Sequence, residues 1–149
     1  SEYSWESTTT KHPEDIARMY RCMVVLGEKH LLSAGKDVSN PGLIGTLGML
    51  CESSGLGATV QLEHVPKPDG VELLRWLLVH PATGFVVSTP ERHAREVVEI
   101  FEQHGLSASK IGTLHPEKCV YIASGEESVE VFDLDRDTIT GLSKRDVHG

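Results

Sequence analysis

The run from Lys36 to Leu50, KDVSNPGLIGTLGML, contains the residue types best suited to holding a ligand. A short polar turn leads into a helical segment, and a helix N-terminus presents unpaired N–H groups and partial positive charge, which favour a phosphate. Ser39 and Asn40 carry side chains that can donate hydrogen bonds to phosphate oxygens, and Gly42 lets a ligand approach the first turn closely. The run therefore predicts a substrate- or phosphate-binding loop.

Three neighbouring residues extend this prediction. Thr46 lies one helical turn after Gly42, so we expect its hydroxyl to point toward the same end of the helix. Lys36 adds positive charge. Asp37 would repel a phosphate, and we expect it to bind a donor, such as a ribose hydroxyl or a loop amide, or a cation.

The same residues also fit a plain capped helix. Ser39 or Asn40 is a good N-cap, Pro41 suits the first helical position, and Gly55 suits the exit. Each glycine inside a helix costs about 1 kcal/mol relative to alanine, which indicates close packing against another backbone or a ligand. The glycines concerned are Gly42, Gly45 and Gly48.

Other motifs that carry chemistry are missing from the sequence. The eight histidines are scattered without a close ligand pair, and there is no GxSxG, no P-loop lysine and no GxGxxG. We interpret the acidic residues near the C-terminus as a solvated turn and tail. They are Glu126, Glu127, Asp133, Asp135 and Asp137. We therefore predict no metal site, and the sequence identifies no catalytic residue.

Composition excludes several classes of protein. A net charge of −8 argues against a nucleic-acid binder, which needs a clustered basic surface. The longest apolar run, LLRWLLVH, is too short to cross a bilayer, so no membrane association is expected. Cys22, Cys51 and Cys119 are far apart and odd in number, which predicts buried, reduced thiols in a cytoplasmic protein.

Hydrophobic periodicity and turn residues predict the order α-α-β-α-β-α-β-β-β, a mixed β-sheet with helices packed on it. The segment 84–114 reads as one strand–helix–strand unit, and GEE joins two strands of a hairpin. We expect the first helix to begin at Pro13 and its region to close at Gly35. The predicted organisation is a lead-in arm over 1–12, one domain over 13–135, and a polar tail over 136–149 that frays.

Two segments together resemble a known family. DVSNPGLIGTLGMLCESSGLGATV and ATGFVVSTPERHAREVVEIFEQHGLSASKIGTL are similar to the C-terminal domain of aminoimidazole ribonucleotide synthetase-related proteins. The superfamily includes formylglycinamidine ribonucleotide synthetase, selenophosphate synthetase, thiamine-monophosphate kinase and a hydrogenase-maturation protein. The resemblance covers roughly Asp15 to Asp133 and implies an α/β (α+β) fold with a mixed sheet layered with helices.

The resemblance also implies a function. In the family, an N-terminal domain binds ATP and Mg²⁺, and the C-terminal domain closes the cleft and helps to hold a small-molecule substrate or phosphate. The chain matches the second half only, so the implied partners are its own N-terminal ATP-binding domain and a second copy in a homodimer. The chain alone is expected to be non-catalytic and to bind no cofactor. By carry-over, Asp37, Ser39, Asn40 and Gly42 face the cleft, although Pro41 replaces a glycine found in several relatives and removes one N–H donor.

Two alternatives remain open beside the enzyme. The chain could be a non-catalytic module that binds a small anion or nucleotide at the same helix N-terminus. It could also be an assembly domain whose apolar strand faces require a partner.

Overall fold

The chain forms two compact groups of residues. A computed structural model describes residues 4–5, 11–81 and 83–142. The first unit comprises residues up to Thr46 together with Pro66–Lys110, and the second comprises Leu47–Val65 together with the residues from Ile111 onward. The division falls inside one helix, after Thr46.

The first unit combines helices with a two-stranded antiparallel sheet. Its elements are β1 (Ser4–Trp5), α1 (Pro13–Glu28), β2 (Ala34–Asp37), the start of α2 (Gly42–Ser54), α3 (Leu73–Leu78), β4 (His80–Pro81), β5 (Phe85–Ser88) and α4 (Ala94–Gln103). β2 pairs with β5, and the short β1 runs parallel to β4. A 3₁₀ turn over Glu91–His93 leads into α4.

Apolar faces of α1 and α4 build the core of this unit. The cluster consists of Cys22, Leu26, Leu31, Val97, Ile100 and Phe101. Phe85 from β5 packs against it, and Tyr20 meets the Phe85 ring edge-on with the centroids 5.5 Å apart. The spacing of these positions by three and four residues on each helix gives both helices one apolar stripe.

The first helix is shorter than the sequence predicts. It begins at Pro13, as expected, but it ends at Glu28, and His30 takes the left-handed conformation with φ 52°. That change of direction sends the chain into β2, so Gly35 lies in a strand and does not close the helix. Similarly, α3 ends at Leu78, before Pro81, because Val79 is already extended.

The second unit is a mixed four-stranded sheet with the rest of α2. The strand order is β6 (Gly112–His115), β3 (Gly57–Gln61), β7 (Cys119–Ser124) and β8 (Glu127–Asp133). β3 runs parallel to β7 and antiparallel to β6. The predicted hairpin of β7 and β8 is confirmed, and Gly125 turns it with φ 58°. The prediction of a mixed sheet with helices is correct.

The predicted order of strand, helix and strand over 84–114 is present as β5, α4 and β6, but it does not form a crossover unit within one sheet. β5 pairs with β2, whereas β6 pairs with β3, so the two strands that flank α4 belong to different sheets. After α4 the chain stays irregular through residue 111 and then enters β6 antiparallel to β3. A crossover unit requires two parallel strands of one sheet, and sequence patterns alone do not reveal which strand is the partner.

The C-terminal segment is fixed as far as it is described. The Glu52 carboxylate at the end of α2 accepts hydrogen bonds from the backbone N–H groups of Ile139 (3.0 Å), Thr140 (2.8 Å) and Gly141 (3.3 Å). The expectation of a fraying tail therefore fails for these three residues, because one carboxylate binds their N–H groups. Residues 143–149 of the predicted tail lie outside the described residues.

The stability of this contact should depend on pH. Partial burial raises the pKa of Glu52. The hydrogen bonds from the Thr140 hydroxyl and from three backbone N–H groups together lower it by more, so the pKa lies below its usual value. A depressed pKa contributes stability that is complete above the unfolded pKa, about 4.3, and that is lost as pH falls through the folded value. We expect amide protection at Thr140 and Gly141 to fall in this acid window.

Glu52→Gln tests the pH dependence. The variant should weaken protection at neutral pH and flatten its acid dependence, as read by amide hydrogen exchange across a pH series. Glu102→Gln, at an exposed glutamate of α4, is the matched control and should leave both unchanged. An acid dependence that persists in Glu52→Gln would contradict the assignment.

The three cysteines carry free thiols, and their burial differs from one to the next. Cys22 and Cys51 are buried as predicted, whereas Cys119, the first residue of β7, is only half-buried. Burial raises the pKa of the Cys51 thiol to about 11, which makes it a poor nucleophile. Within the described ranges, the helices are all too short or too polar to cross a membrane.

Candidate functional site

The predicted loop is a tight turn between β2 and α2. Lys36 and Asp37 are the last two residues of β2, and the Val38 N–H donates to the carbonyl of Gly84 at 2.8 Å. The Gly42 N–H then donates to the carbonyl of Ser39 at 2.9 Å, which closes a turn around Asn40 and Pro41. The chain leaves β2 and enters α2 within four residues.

Thr46 supports this turn from behind. Its side chain is fully buried, and its hydroxyl oxygen accepts a hydrogen bond from the Ser39 N–H at 3.2 Å. The hydroxyl thus points toward the start of the helix, as the sequence suggests, but it lies on the protein side of the turn. Thr46 positions the backbone of Ser39 and offers no accessible surface to a ligand.

Gly42 packs against the backbone of α3, whereas the sequence predicts that a ligand approaches it. A Cβ placed on Gly42 would lie 2.2 Å from the carbonyl oxygen of Leu77 in α3, and Gly42 itself has φ +71°. The close approach that requires a glycine is therefore that of another backbone and not that of a ligand. The Gly42 N–H is also already bonded to Ser39, so the expected open donor at this position is occupied.

The two later glycines of α2 serve packing, as the alternative interpretation predicts. A Cβ on Gly45 would meet Pro41 at 2.5 Å, and one on Gly48 would meet Ile139 at 2.7 Å and the Phe132 ring at 3.0 Å. Pro41 thus rests on the first turn of the helix that follows it. The contact at Gly45 packs the turn against α2, whereas Gly48 allows α2 to pack against Phe132 and Ile139.

The turn presents a small set of polar groups to the outside. Asp37 and Asn40 are exposed and Ser39 is half-buried. The Lys36 ammonium lies 3.8 Å from the Asp37 carboxylate, and these side chains are 34% and 65% exposed. Asp37, Ser39 and Asn40 thus lie within one short turn and each keeps accessible surface, and the Lys36 ammonium lies beside Asp37.

Comparisons with known proteins identify the domain. The sequence profile of the family described as "AIR synthase related protein, C-terminal domain" matches residues 2–123. The chain belongs to this family. An uncharacterized protein of Methanocaldococcus jannaschii is 38% identical over 138 residues, which are 93% of this chain and 43% of that protein. The AIR synthase-related domain therefore spans less than half the length of this relative.

Solved structures show the same fold. Phosphoribosylformylglycinamidine synthase II from Thermotoga maritima superposes with a TM-score of 0.75 at 20% identity, covering 85% of this chain and 22% of that one. Other structures of that T. maritima protein are described as complexes with ATP and with FGAR. The hydrogenase maturation protein HypE has a TM-score of 0.66 at 16% identity, covering 83% of this chain and 44% of its own.

The donors of this AIR synthase-related domain suit a phosphate better than a metal. Lys36 supplies a positive charge, and Ser39 and Asn40 supply neutral donors, which together match the oxygens of a phosphate. For a cation the turn offers one carboxylate, Asp37, and among the described residues no group of three or more His, Cys, Asp and Glu is placed to share a metal ion. Mg²⁺ prefers several oxygen ligands, so this turn does not fit it alone.

A second polar cluster was not foreseen from the sequence. Thr59 of β3 lies 3.2 Å from Nε2 of His115 of β6, and His115 Nδ1 lies 2.9 Å from the carbonyl of Glu117. Since a carbonyl can only accept, neutral His115 carries its proton on Nδ1, and Nε2 accepts from the Thr59 hydroxyl. Hydrogen bonds to Cys119 and Glu117 raise the pKa of the neighbouring Tyr121.

This cluster depends on strand pairing. Thr59 and His115 meet because β3 and β6 are antiparallel, with Gly57 opposite His115 and Thr59 two residues farther on the same face. The sequence contains the alternation of each strand but not the pairing between them. A correct assignment of β6 as the neighbour of β3 is the signal that would have found it.

Proposed function

We propose that this domain is the cleft-forming C-terminal part of an ATP-dependent synthetase or phosphotransferase-like enzyme, and that its turn from Asp37 to Gly42 contacts phosphate or substrate. Membership of the AIR synthase-related family and the ATP-bound T. maritima relative support this proposal. The remaining part of a longer protein would supply most of the ATP and Mg²⁺ site, and this domain alone would not catalyse. The three free thiols are consistent with a cytoplasmic protein.

One observation carries the assignment to this turn. The exposed polar residues stand on a backbone that is held from inside, because the buried Thr46 hydroxyl accepts the Ser39 N–H. A turn fixed in this way presents Ser39 and Asn40 without the entropy cost of ordering a loop on binding. Phosphoryl chemistry uses such fixed groups, since the protein contributes mainly positioning and electrostatic stabilisation.

The residues of the turn would act in separate ways. Asn40 and Ser39 would donate hydrogen bonds to phosphate oxygens, and Lys36 would add attraction at longer range. Asp37 would accept from a hydroxyl or amide of the substrate, because its charge opposes direct contact with phosphate. With the Gly42 N–H already engaged, the side chains would provide most of the specificity.

Asn40→Ala tests the proposal. In the full-length protein we expect the variant to weaken binding of ATP or inorganic phosphate by about tenfold, because a hydrogen bond to a charged group is worth about 1.5–3 kcal/mol. Isothermal titration with ATP, AMP and phosphate measures the change. Gln103→Ala removes another exposed amide, at the end of α4, and is the matched control.

Asp37→Asn tests the electrostatic part of the contact. Removing the negative charge should tighten phosphate binding, because the carboxylate repels the anion, while Asp69→Asn, at an exposed aspartate of a loop, should change nothing. Unchanged affinities for all three ligands in both Asn40→Ala and Asp37→Asn would exclude this turn as the contact and favour the non-catalytic alternatives.

A further inference from the structure

The segment that follows β8 returns to α2 and contacts it at two points. After Asp133, the last residue of β8, the chain turns, and residues 138–142 lie against the C-terminal half of α2. These five residues belong to neither a helix nor a strand. We call residues 138–142 the strap. Its position therefore depends on side-chain contacts and not on a β-ladder.

Glu52 provides the polar contact of the strap. Its carboxylate accepts the N–H groups of Ile139, Thr140 and Gly141 and also the Thr140 hydroxyl. Successive N–H groups that converge on one anion form a backbone nest, and the left-handed Gly141, with φ +75°, is typical of such a concavity. Because all these bonds end on one carboxylate, we expect them to form and break together.

The position of Glu52 on α2 favours this contact. Glu52 lies in the last turn of the helix, where the free carbonyl groups form the negative end of the helix dipole. A carboxylate is unfavourable there, and the last turn contains no basic residue to balance it. The N–H groups of the strap supply the missing partial positive charge. Glu52 is therefore better stabilised with the strap in place than without it.

Ile139 provides the apolar contact of the strap. A Cβ on Gly48 would lie 2.7 Å from Ile139 Cδ1 and 3.0 Å from the Phe132 ring, so these two side chains fill the space that the glycine leaves. Gly48 and Glu52 are one helical turn apart and lie on the same face of α2. Ile139 is half-buried, and the other four residues of the strap are exposed. The strap is thus held by one carboxylate and one apolar side chain.

The turn before the strap is held by hydrogen bonds of its own. The Asp133 N–H donates to the Asp137 carboxylate at 2.7 Å, and the Asp137 N–H donates to the Asp133 carbonyl at 2.6 Å. The Leu134 N–H donates to the Lys118 carbonyl at 2.8 Å. These bonds involve neither of the α2 residues that hold the strap, so the turn can stay in place when the strap leaves the helix. The hinge then falls at Thr138.

We propose that the strap opens and closes on α2 as one unit while the four-stranded sheet stays folded. The closed strap covers the notch at Gly48, and the open strap exposes that notch and frees the Glu52 carboxylate. Segments with few buried contacts open locally at much lower cost than the whole fold. The polar and apolar contacts lie on one helical turn, so the loss of either one releases the other.

Amide hydrogen exchange of the full-length protein tests this proposal. The N–H groups of Ile139, Thr140 and Gly141 should share one protection factor, about tenfold or more below that of the central strand β7. Ile139→Ala keeps every N–H group and should lower protection at Thr140 and Gly141 by about tenfold, because the apolar contact is lost. Leu142→Ala, at a 63% exposed leucine of the strap, is the matched control and should change neither.

Glu52→Ala removes the other contact. It should lower protection at all three N–H groups by about tenfold or more, whereas Glu102→Ala, at an exposed glutamate of α4, should leave them unchanged. Wild-type protection at Thr140 and Gly141 in Ile139→Ala would show that the two contacts act independently and would overturn the proposal. Equal protection in the strap and in β7 would overturn it too, since the strap would then open only with the sheet. Unchanged protection in β7 checks that each variant stays folded.

Discussion

Gly42→Ala should destabilise the first unit by roughly 2–5 kcal/mol. A left-handed backbone costs a residue with a Cβ about 1–2 kcal/mol, and Gly42 has φ +71°. In addition, the new methyl group would lie 2.2 Å from the Leu77 carbonyl oxygen, so α3 or α2 must shift. Urea unfolding followed by fluorescence is a suitable measurement, because Trp76 lies on α3 next to Leu77.

Substitutions at two other glycines separate the cost of the left-handed backbone from the cost of the clash with Leu77. Gly55 has φ +68° with nothing within 4 Å of an added Cβ, so Gly55→Ala isolates the cost of the left-handed backbone. Gly27 lies inside α1 with equal space and without positive φ, so Gly27→Ala should stabilise by about 0.5–1 kcal/mol. If Gly42→Ala costs no more than Gly55→Ala, the contact with Leu77 does not require a glycine.

Local sequence patterns predicted the elements whose signals lie within a few residues. Pro90 and Gly105 flank the region of α4, and the short loop around Gly125 fits the hairpin of β7 and β8. β2 was missed because its four residues, Ala34–Asp37, contain a glycine and two charges and show no apolar alternation. Its partner β5 stabilises it, and that pairing is not visible in the sequence of either strand.

The candidate site likewise has one part that the sequence predicts and one part that only the fold reveals. The turn itself was predictable, since Ser39, Asn40 and Pro41 favour one locally. The environment of Gly42 was not, because the backbone that excludes a side chain there comes from α3, far along the chain. Glycine spacing indicates that something approaches closely, and only the fold shows that it is the Leu77 carbonyl and not a ligand.

Thr46→Val should destabilise the protein by about 1–3 kcal/mol, although it preserves the size of the side chain. The valine fills the buried site, but the Ser39 N–H loses its acceptor at 3.2 Å. Thr46→Ser keeps that acceptor and loses one methyl group, which costs about 1 kcal/mol. Hydrogen bonding therefore predicts that valine is the more harmful substitution, whereas packing alone predicts the reverse order. Urea unfolding gives the order, and faster amide exchange at Ser39 in Thr46→Val alone would show that the hydroxyl holds the turn.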